Sequence, residues 1–193
     1  MQKLILTDID GVVLNWELGI TEWLNEKGHI PATDPKQARP LFSNDHVIEY
    51  TNSAAFGFIP PYRDSIYYIN QLKQEGWKFH AITSSGGDKW SMKLRRDNLM
   101  KFFPGCFDDI FILGLHGCKD DTLRKYQDSG AIWVEDRLDN AQVGLELGLK
   151  PYLMLNDKNH DSYGKYLGSN EPKGISCVKN WKTIYEDLNQ SSL

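Results

Sequence analysis

The chain has 193 residues, 40% of them hydrophobic and 25% charged, enough for one compact domain with a buried core and a small insertion. A formal net charge of −4 offers no basic surface to a nucleic-acid polymer, and the longest apolar runs, such as Ala131-Ile132-Trp133-Val134, are far too short for a membrane span. Six Trp, nine Tyr and eight Phe argue against disorder, and three scattered cysteines argue against a disulfide framework or a zinc site. Met1-Gln2-Lys3 runs straight into a strand-like segment without the layout of a signal peptide, so a cytoplasmic location is expected.

Lys3 to Ile9 reads as a β-rich run ended by Asp10-Gly11. Leu18, Ile20, Trp23 and Leu24 recur at helical spacing within a helix predicted over 17–27, which stops at Gly28. Pro31, Pro35 and Pro40 then interrupt the chain, a second helix is predicted over 44–56, and Pro60-Pro61 closes the region. From there helices (64–75, 88–101, 119–127, 138–147, 182–188) alternate with strands (77–83, 109–113, 131–135, 152–155, 175–178), with a polar stretch over 156–173. Such alternation predicts an α/β, Rossmann-like parallel sheet with helices on both faces. Residues 1–14 and 61–193 form the expected core, and 15–60 a small helical cap inserted after the first strand.

In open parallel sheets ligands bind outside the carboxyl ends of the strands. The first strand leaves Asp8 and Asp10 there, and the second leaves Thr83 and Ser84 before Gly86-Gly87. Lys119 follows the third, while Glu135, Asp136, Asp139 and Asn140 follow the fourth. Asp8 and Asp10, two apart on an extended chain, point to one side. Carboxylates so crowded repel one another unless a cation joins them, and Mg²⁺ suits hard oxygen ligands alongside a substrate phosphate. An aspartate can then attack phosphorus, while a second carboxyl group protonates the leaving oxygen and later activates water. Thr83, Ser84 and Lys119 are placed to hold phosphoryl oxygens. Each feature alone has a plainer reading as a turn, a helix cap or a surface ion cluster; their coincidence at one sheet edge points to phosphoryl transfer.

The segments Leu6-Thr7-Asp8-Ile9-Asp10-Gly11-Val12, Ile82-Thr83-Ser84, Lys119 and Val134-Glu135-Asp136-Arg137-Leu138-Asp139-Asn140, in that order, resemble the four motifs of the haloacid-dehalogenase (HAD) superfamily. The resemblance implies Asp8 as nucleophile, Asp10 as general acid/base, and Mg²⁺ held by Asp8, the Asp10 backbone carbonyl and Asp136. It also implies Thr83 as the phosphate-binding hydroxyl and Lys119 as the charge-offsetting lysine. Two aspartates in the first motif imply a phosphatase rather than a dehalogenase. The last motif departs from the usual Gly-Asp with a further Asp, leaving Asp139 or Asn140 as a possible secondary acid or amide. The Glu-Asp-Arg form and small cap are similar to the 5′(3′)-deoxyribonucleotidase branch and to small phage or bacterial HAD-like hydrolases.

Trp16, Trp23, Phe42, Tyr50, Phe56 and Phe58 in the cap offer rings for a base, although most of them are expected in the core because a helix of this length buries one apolar stripe; Arg39, Arg63, Asn44 and His46 offer polar contacts, each alone reading as a solvated face or loop. They suggest a small phosphate ester, such as a nucleoside monophosphate, as substrate. His160 reads as a surface-loop residue, and Cys118 as a small buried one. Two other classes remain open: an inactive HAD-fold binding module, and a phospho-accepting signalling domain. The second lacks an aspartate at the end of the third strand, which reads Leu113-Gly114-Leu115.

Overall fold

The computed structural model describes residues 3–114, 117–156 and 171–190. Its sheet has six parallel strands: β1 (Leu4–Thr7), β2 (Lys78–Ser84), β3 (Asp109–Leu113), β4 (Ile132–Glu135), β5 (Lys150–Met154) and β6 (Ser176–Val178). Their spatial order is β3-β2-β1-β4-β5-β6. Every residue of β1 and β4 is buried, as strands covered on both faces require. The order reverses between β1 and β4, where a doubly wound sheet opens its ligand crevice. Thr7 pairs with Val134, so Asp8 and Glu135 leave the two central strands side by side.

The helices are α1 (Trp16–Glu26), α2 (Pro35–Ala38), α3 (Asn44–Asn52), α4 (Arg63–Gln74), α5 (Lys89–Phe102), α6 (Asp120–Leu123), α7 (Leu138–Glu146) and α8 (Trp181–Gln190). Three differ from the expectation. The short α2 forms where prolines are expected only to interrupt the chain, because Asp34 caps it and Pro35 stands in its first turn. The helix predicted over 44–56 breaks at Ser53, whose backbone is extended (φ −82°, ψ 159°), and resumes as a 3₁₀ turn over Ala54–Phe58. Ser53 itself closes the last turn of α3, its Oγ donating to Tyr50 O at 2.8 Å. The helix predicted over 119–127 is α6 followed by a 3₁₀ turn at Arg124–Tyr126, a tightening that brings Tyr126 Oη within 2.7 Å of His80 Nδ1. No helix among the described residues is long and apolar enough to cross a membrane.

Side chains of β1 alternate between two cores. Ile5 joins Phe79, Val134 and Trp181 on one face, and Leu4 and Leu6 join Ile82, Trp133 and Leu147 on the other. The inserted segment leaves and returns at one point, where Asn15 N donates to Pro60 O (2.7 Å) and Tyr62 N to Val13 O (3.0 Å). Its Ile20, Trp23, Leu24, Tyr50 and Phe56 are buried in the same cluster as Ile5, so it packs onto the body rather than around a core of its own. The final helix is pinned across the body: Trp181 Nε1 donates to Val12 O at 2.9 Å, and Asp64 Oδ2 accepts from Trp181 N at 2.6 Å.

Candidate active site

The turn after β1 sets the first two carboxylates. Asp8 N extends the sheet by donating to Val134 O (2.9 Å), and Val13 and Leu14 N–H groups fold back onto Ile9 O. Gly11 sits at φ +82°, and a Cβ there would lie 2.4 Å from Asp136 Oδ2. Both the left-handed backbone and the close approach therefore demand glycine. Asp8 is buried and Asp10 partly exposed.

Lys119, placed just before α6, is the electrostatic centre. Its Nζ lies 2.8 Å from Asp8 Oδ1 and 2.8 Å from Glu135 Oε2, with 8% of the side chain exposed. Glu135 is fully buried and its oxygens are taken up by named donors. Oε2 accepts from Lys119 and Asn140 Nδ2 (3.1 Å), and Oε1 from the backbone N–H groups of Asp136 (3.0 Å) and Arg137 (3.2 Å). Burial pushes the Asp8 carboxyl up to about 6 against the opposing pull of Lys119, and burial also raises Glu135. Burial works against the Lys119 ammonium, but Asp8 and Glu135 outweigh it and the net shift is upward.

Asp8, Glu135 and Asp136 offer carboxylate oxygens that all lie within 4.8 Å of one another. Since Glu135 is committed to Lys119, Asn140 and the backbone, Asp8 and Asp136 are the pair whose hard oxygens fit a small divalent cation. Asn156 steadies this corner, its Nδ2 donating to Asp136 Oδ2 (3.1 Å) and Gly11 O (2.9 Å).

A cleft of about 530 Å³ gathers Asp8, Asp10, Thr83, Ser84, Lys119 and Asp136. Seven of the eight expected site residues thus line one space, Asn140 included, and Arg137 lines it with them. Asp139 is not among them: it is exposed and forms a two-pronged pair with Arg137 (3.1 and 2.6 Å). Neighbouring helical positions point roughly 100° apart, so only one of Asp139 and Asn140 can face Glu135. Cys118, expected to be buried, is exposed and lines the cleft.

A smaller cavity of about 210 Å³ adjoins Asp10 and is lined by Trp16, Glu17, Tyr62 and Asn156. Of the six inserted aromatics, Trp23, Tyr50 and Phe56 are core residues, and Phe58 is exposed beneath Lys101. Phe42 packs edge-on against Trp16 at 6.4 Å, and Trp16 is the one of the six that lines the cavity beside Asp10. Arg39 forms a bidentate pair with Glu17 (2.7 and 2.5 Å), Asn44 is exposed, and His46 closes a capping box with Ser43. The Arg63 side chain and His160 lie outside the described residues.

Three residues with clear positions in the site had no assigned role from sequence: Glu135, Asn156 and Arg95. Arg95, fully buried on α5, donates from Nη2 to Asp10 Oδ2 at 2.6 Å.

No protein-family model matches the chain. It is 25% identical over 205 residues to the uncharacterized 32.4 kDa protein in the Gp30-rIII intergenic region of Enterobacteria phage T4, covering 97% of this chain and 70% of that one. Among solved structures, D,D-heptose 1,7-bisphosphate phosphatase from B. bronchiseptica, complexed with magnesium and phosphate, superposes with a TM-score of 0.65. The alignment covers 99% of each chain at 20% identity. A HAD family hydrolase from Deinococcus radiodurans R1, with bound phosphate and sodium, gives 0.63 at 14% identity, covering 99% of this chain and 96% of that one. The fold is that of HAD-superfamily phosphatases and hydrolases.

Proposed function

We propose that this chain is an Mg²⁺-dependent phosphomonoester hydrolase working through an aspartyl-phosphate on Asp8. The observation that carries the reading is one buried lysine shared by Asp8 and Glu135 at 2.8 Å each, with Asp136 beside them at the switch point of the sheet. Asp8 attacks phosphorus, the P–O ester bond breaks, and its electron pair leaves on the ester oxygen, which takes a proton from Asp10. Asp10 then accepts a proton from water as that water attacks the phosphorus of the aspartyl-phosphate, breaking its bond to Asp8 and releasing phosphate. Thr83 and Ser84 hydroxyls and the Lys119 ammonium hold the phosphoryl oxygens. Asp8 and Asp136, with the Asp10 carbonyl, would hold Mg²⁺, which supplies charge neutralisation at the phosphoryl group.

The inserted helices serve as a small cap, and the cavity beside Asp10 takes the leaving group. Trp16 gives that cavity an indole wall, which supports a nucleoside monophosphate as the first substrate to test. The test is phosphate release from p-nitrophenyl phosphate and panels of nucleotides and sugar phosphates, with and without Mg²⁺, for wild type and Asp8→Asn. Mg²⁺-dependent turnover lost in Asp8→Asn is expected. Sugar phosphates turned over far faster than every nucleotide would overturn the substrate, and no turnover on any ester would overturn the hydrolase in favour of a binding module.

A further inference from the structure

The core-facing stripe of α5 runs through Ser91, Leu94, Arg95, Asn98 and Leu99, and three of these five buried residues are polar. Two serve the backbone: Ser91 Oγ donates to Gly86 O at 2.8 Å, and Asn98 Nδ2 to Ile59 O at 3.1 Å. Arg95 instead donates from Nη2 to Asp10 Oδ2 at 2.6 Å, and its guanidinium lies 4.6 Å over the Phe56 ring. The side chain is 0% exposed, and Nε and Nη1 have no hydrogen-bond partner among the described residues.

A guanidinium removed from water with most of its donors unmatched is a poor device for stability; an apolar chain of similar volume serves a core better. Its burial also keeps it from gripping a phosphate in the cleft. What it does is hold one carboxylate.

We propose that Arg95 is a positioning residue for Asp10, fixing that carboxyl group from outside the four motif segments and tying it, through Phe56, to the inserted helices. The inference rests on the hydrolase reading above. As Asp10 gives its proton to the leaving oxygen it becomes a carboxylate, and the guanidinium at Oδ2 both stabilises that anion and keeps it in place to take the proton from water. Such help matters where the leaving oxygen needs a proton and little where it does not.

The test is a mutant cycle read on two esters. Arg95→Lys and Arg95→Met are made in the wild-type and Asp10→Asn backgrounds. Turnover is measured on p-nitrophenyl phosphate and on the best alkyl ester of the panel. Arg95→Lys keeps a cation and a long stem, so it carries the test if Arg95→Met does not fold. The expected result is a kcat loss of about 10²-fold on the alkyl ester, the scale of general-acid help. KM should stay nearly unchanged, p-nitrophenyl phosphate should lose far less, and the Asp10→Asn background should show no further loss. Equal losses on both esters, or the same loss in both backgrounds, would make Arg95 merely structural and overturn the inference while leaving the hydrolase intact. A wild type inactive on every ester would overturn both.

Discussion

Lys119 and Glu135 meet at 2.8 Å in a place nearly closed to water, and the same ammonium also reaches Asp8. One cation thus holds two buried carboxylates whose mutual repulsion would otherwise open the end of the sheet. Removing one member of such a set leaves an uncompensated buried charge, a loss of roughly 3–5 kcal/mol. Lys119→Met is therefore expected to lower the urea midpoint strongly without changing the slope, and to abolish turnover. Adding Glu135→Gln to that variant should recover part of the stability. A double variant no more stable than Lys119→Met would show that the two charges do not oppose each other there.

The pH dependence of stability follows from Asp8. Its ordinary value of 3.8 is pushed up to about 6 by burial, with Lys119 opposing, and burial shifts Glu135 in the same direction. Between pH 4 and 6 Asp8 binds more protons in the folded chain than in the unfolded one, so its contribution to metal-free stability falls as pH rises through that window. Mg²⁺ takes the carboxylate form and competes with those protons. The rise in Tm on adding Mg²⁺ should be small at pH 5 and larger at pH 7. A Tm increment independent of pH would remove Asp8 from the metal site.

The residues legible in the sequence were those whose placement is local. Asp8 and Asp10 follow one strand, Thr83-Ser84 another, and Lys119 and Asp136 fall at the next two strand ends, so alternation of elements sufficed to bring them together. Most of the cap rings read as core from the sequence, and Trp23, Tyr50 and Phe56 are, buried in one cluster with Ile5 and Leu94. Composition cannot separate a ring that packs from a ring that faces a ligand. Arg95 lies 85 positions from Asp10 in sequence, and nothing local announces the contact. A signal existed nonetheless: positions 91, 94, 95, 98 and 99 follow the i, i+3, i+4, i+7, i+8 spacing of a buried stripe, and an arginine there is out of place. Glu135 gave a similar one, a carboxylate closing an otherwise apolar strand.

Gly11 joins the nucleophile turn to the metal corner. A methyl group at that position meets Asp136 Oδ2 at 2.4 Å and Asn156 Nδ2 at 2.7 Å, on a backbone at φ +82°. Gly11→Ala should cost about 1–3 kcal/mol in backbone strain and displace Asp136 from Asp8. The displacement predicts a raised Mg²⁺ requirement: half-maximal activity at a concentration at least about tenfold higher, equivalent to about 1.4 kcal/mol. A variant that is destabilised yet keeps the wild-type Mg²⁺ titration would show that Asp136 does not bind the metal.

Cys118 offers a probe of the cleft that leaves the core alone. It is exposed beside Lys119, whereas Cys106 and Cys177 are buried and burial raises both thiols, Cys177 to about 11. Reagents attack the thiolate, so at neutral pH the native protein should react rapidly at Cys118 alone. A bulky maleimide there would stand over the space assigned to the phosphoryl group and should abolish turnover. Cys118→Ser should be active and indifferent to the reagent, and inorganic phosphate with Mg²⁺ should slow labelling of the wild type. Full activity in protein labelled at Cys118 would place the phosphoryl group elsewhere than the cleft between Asp8, Thr83 and Lys119.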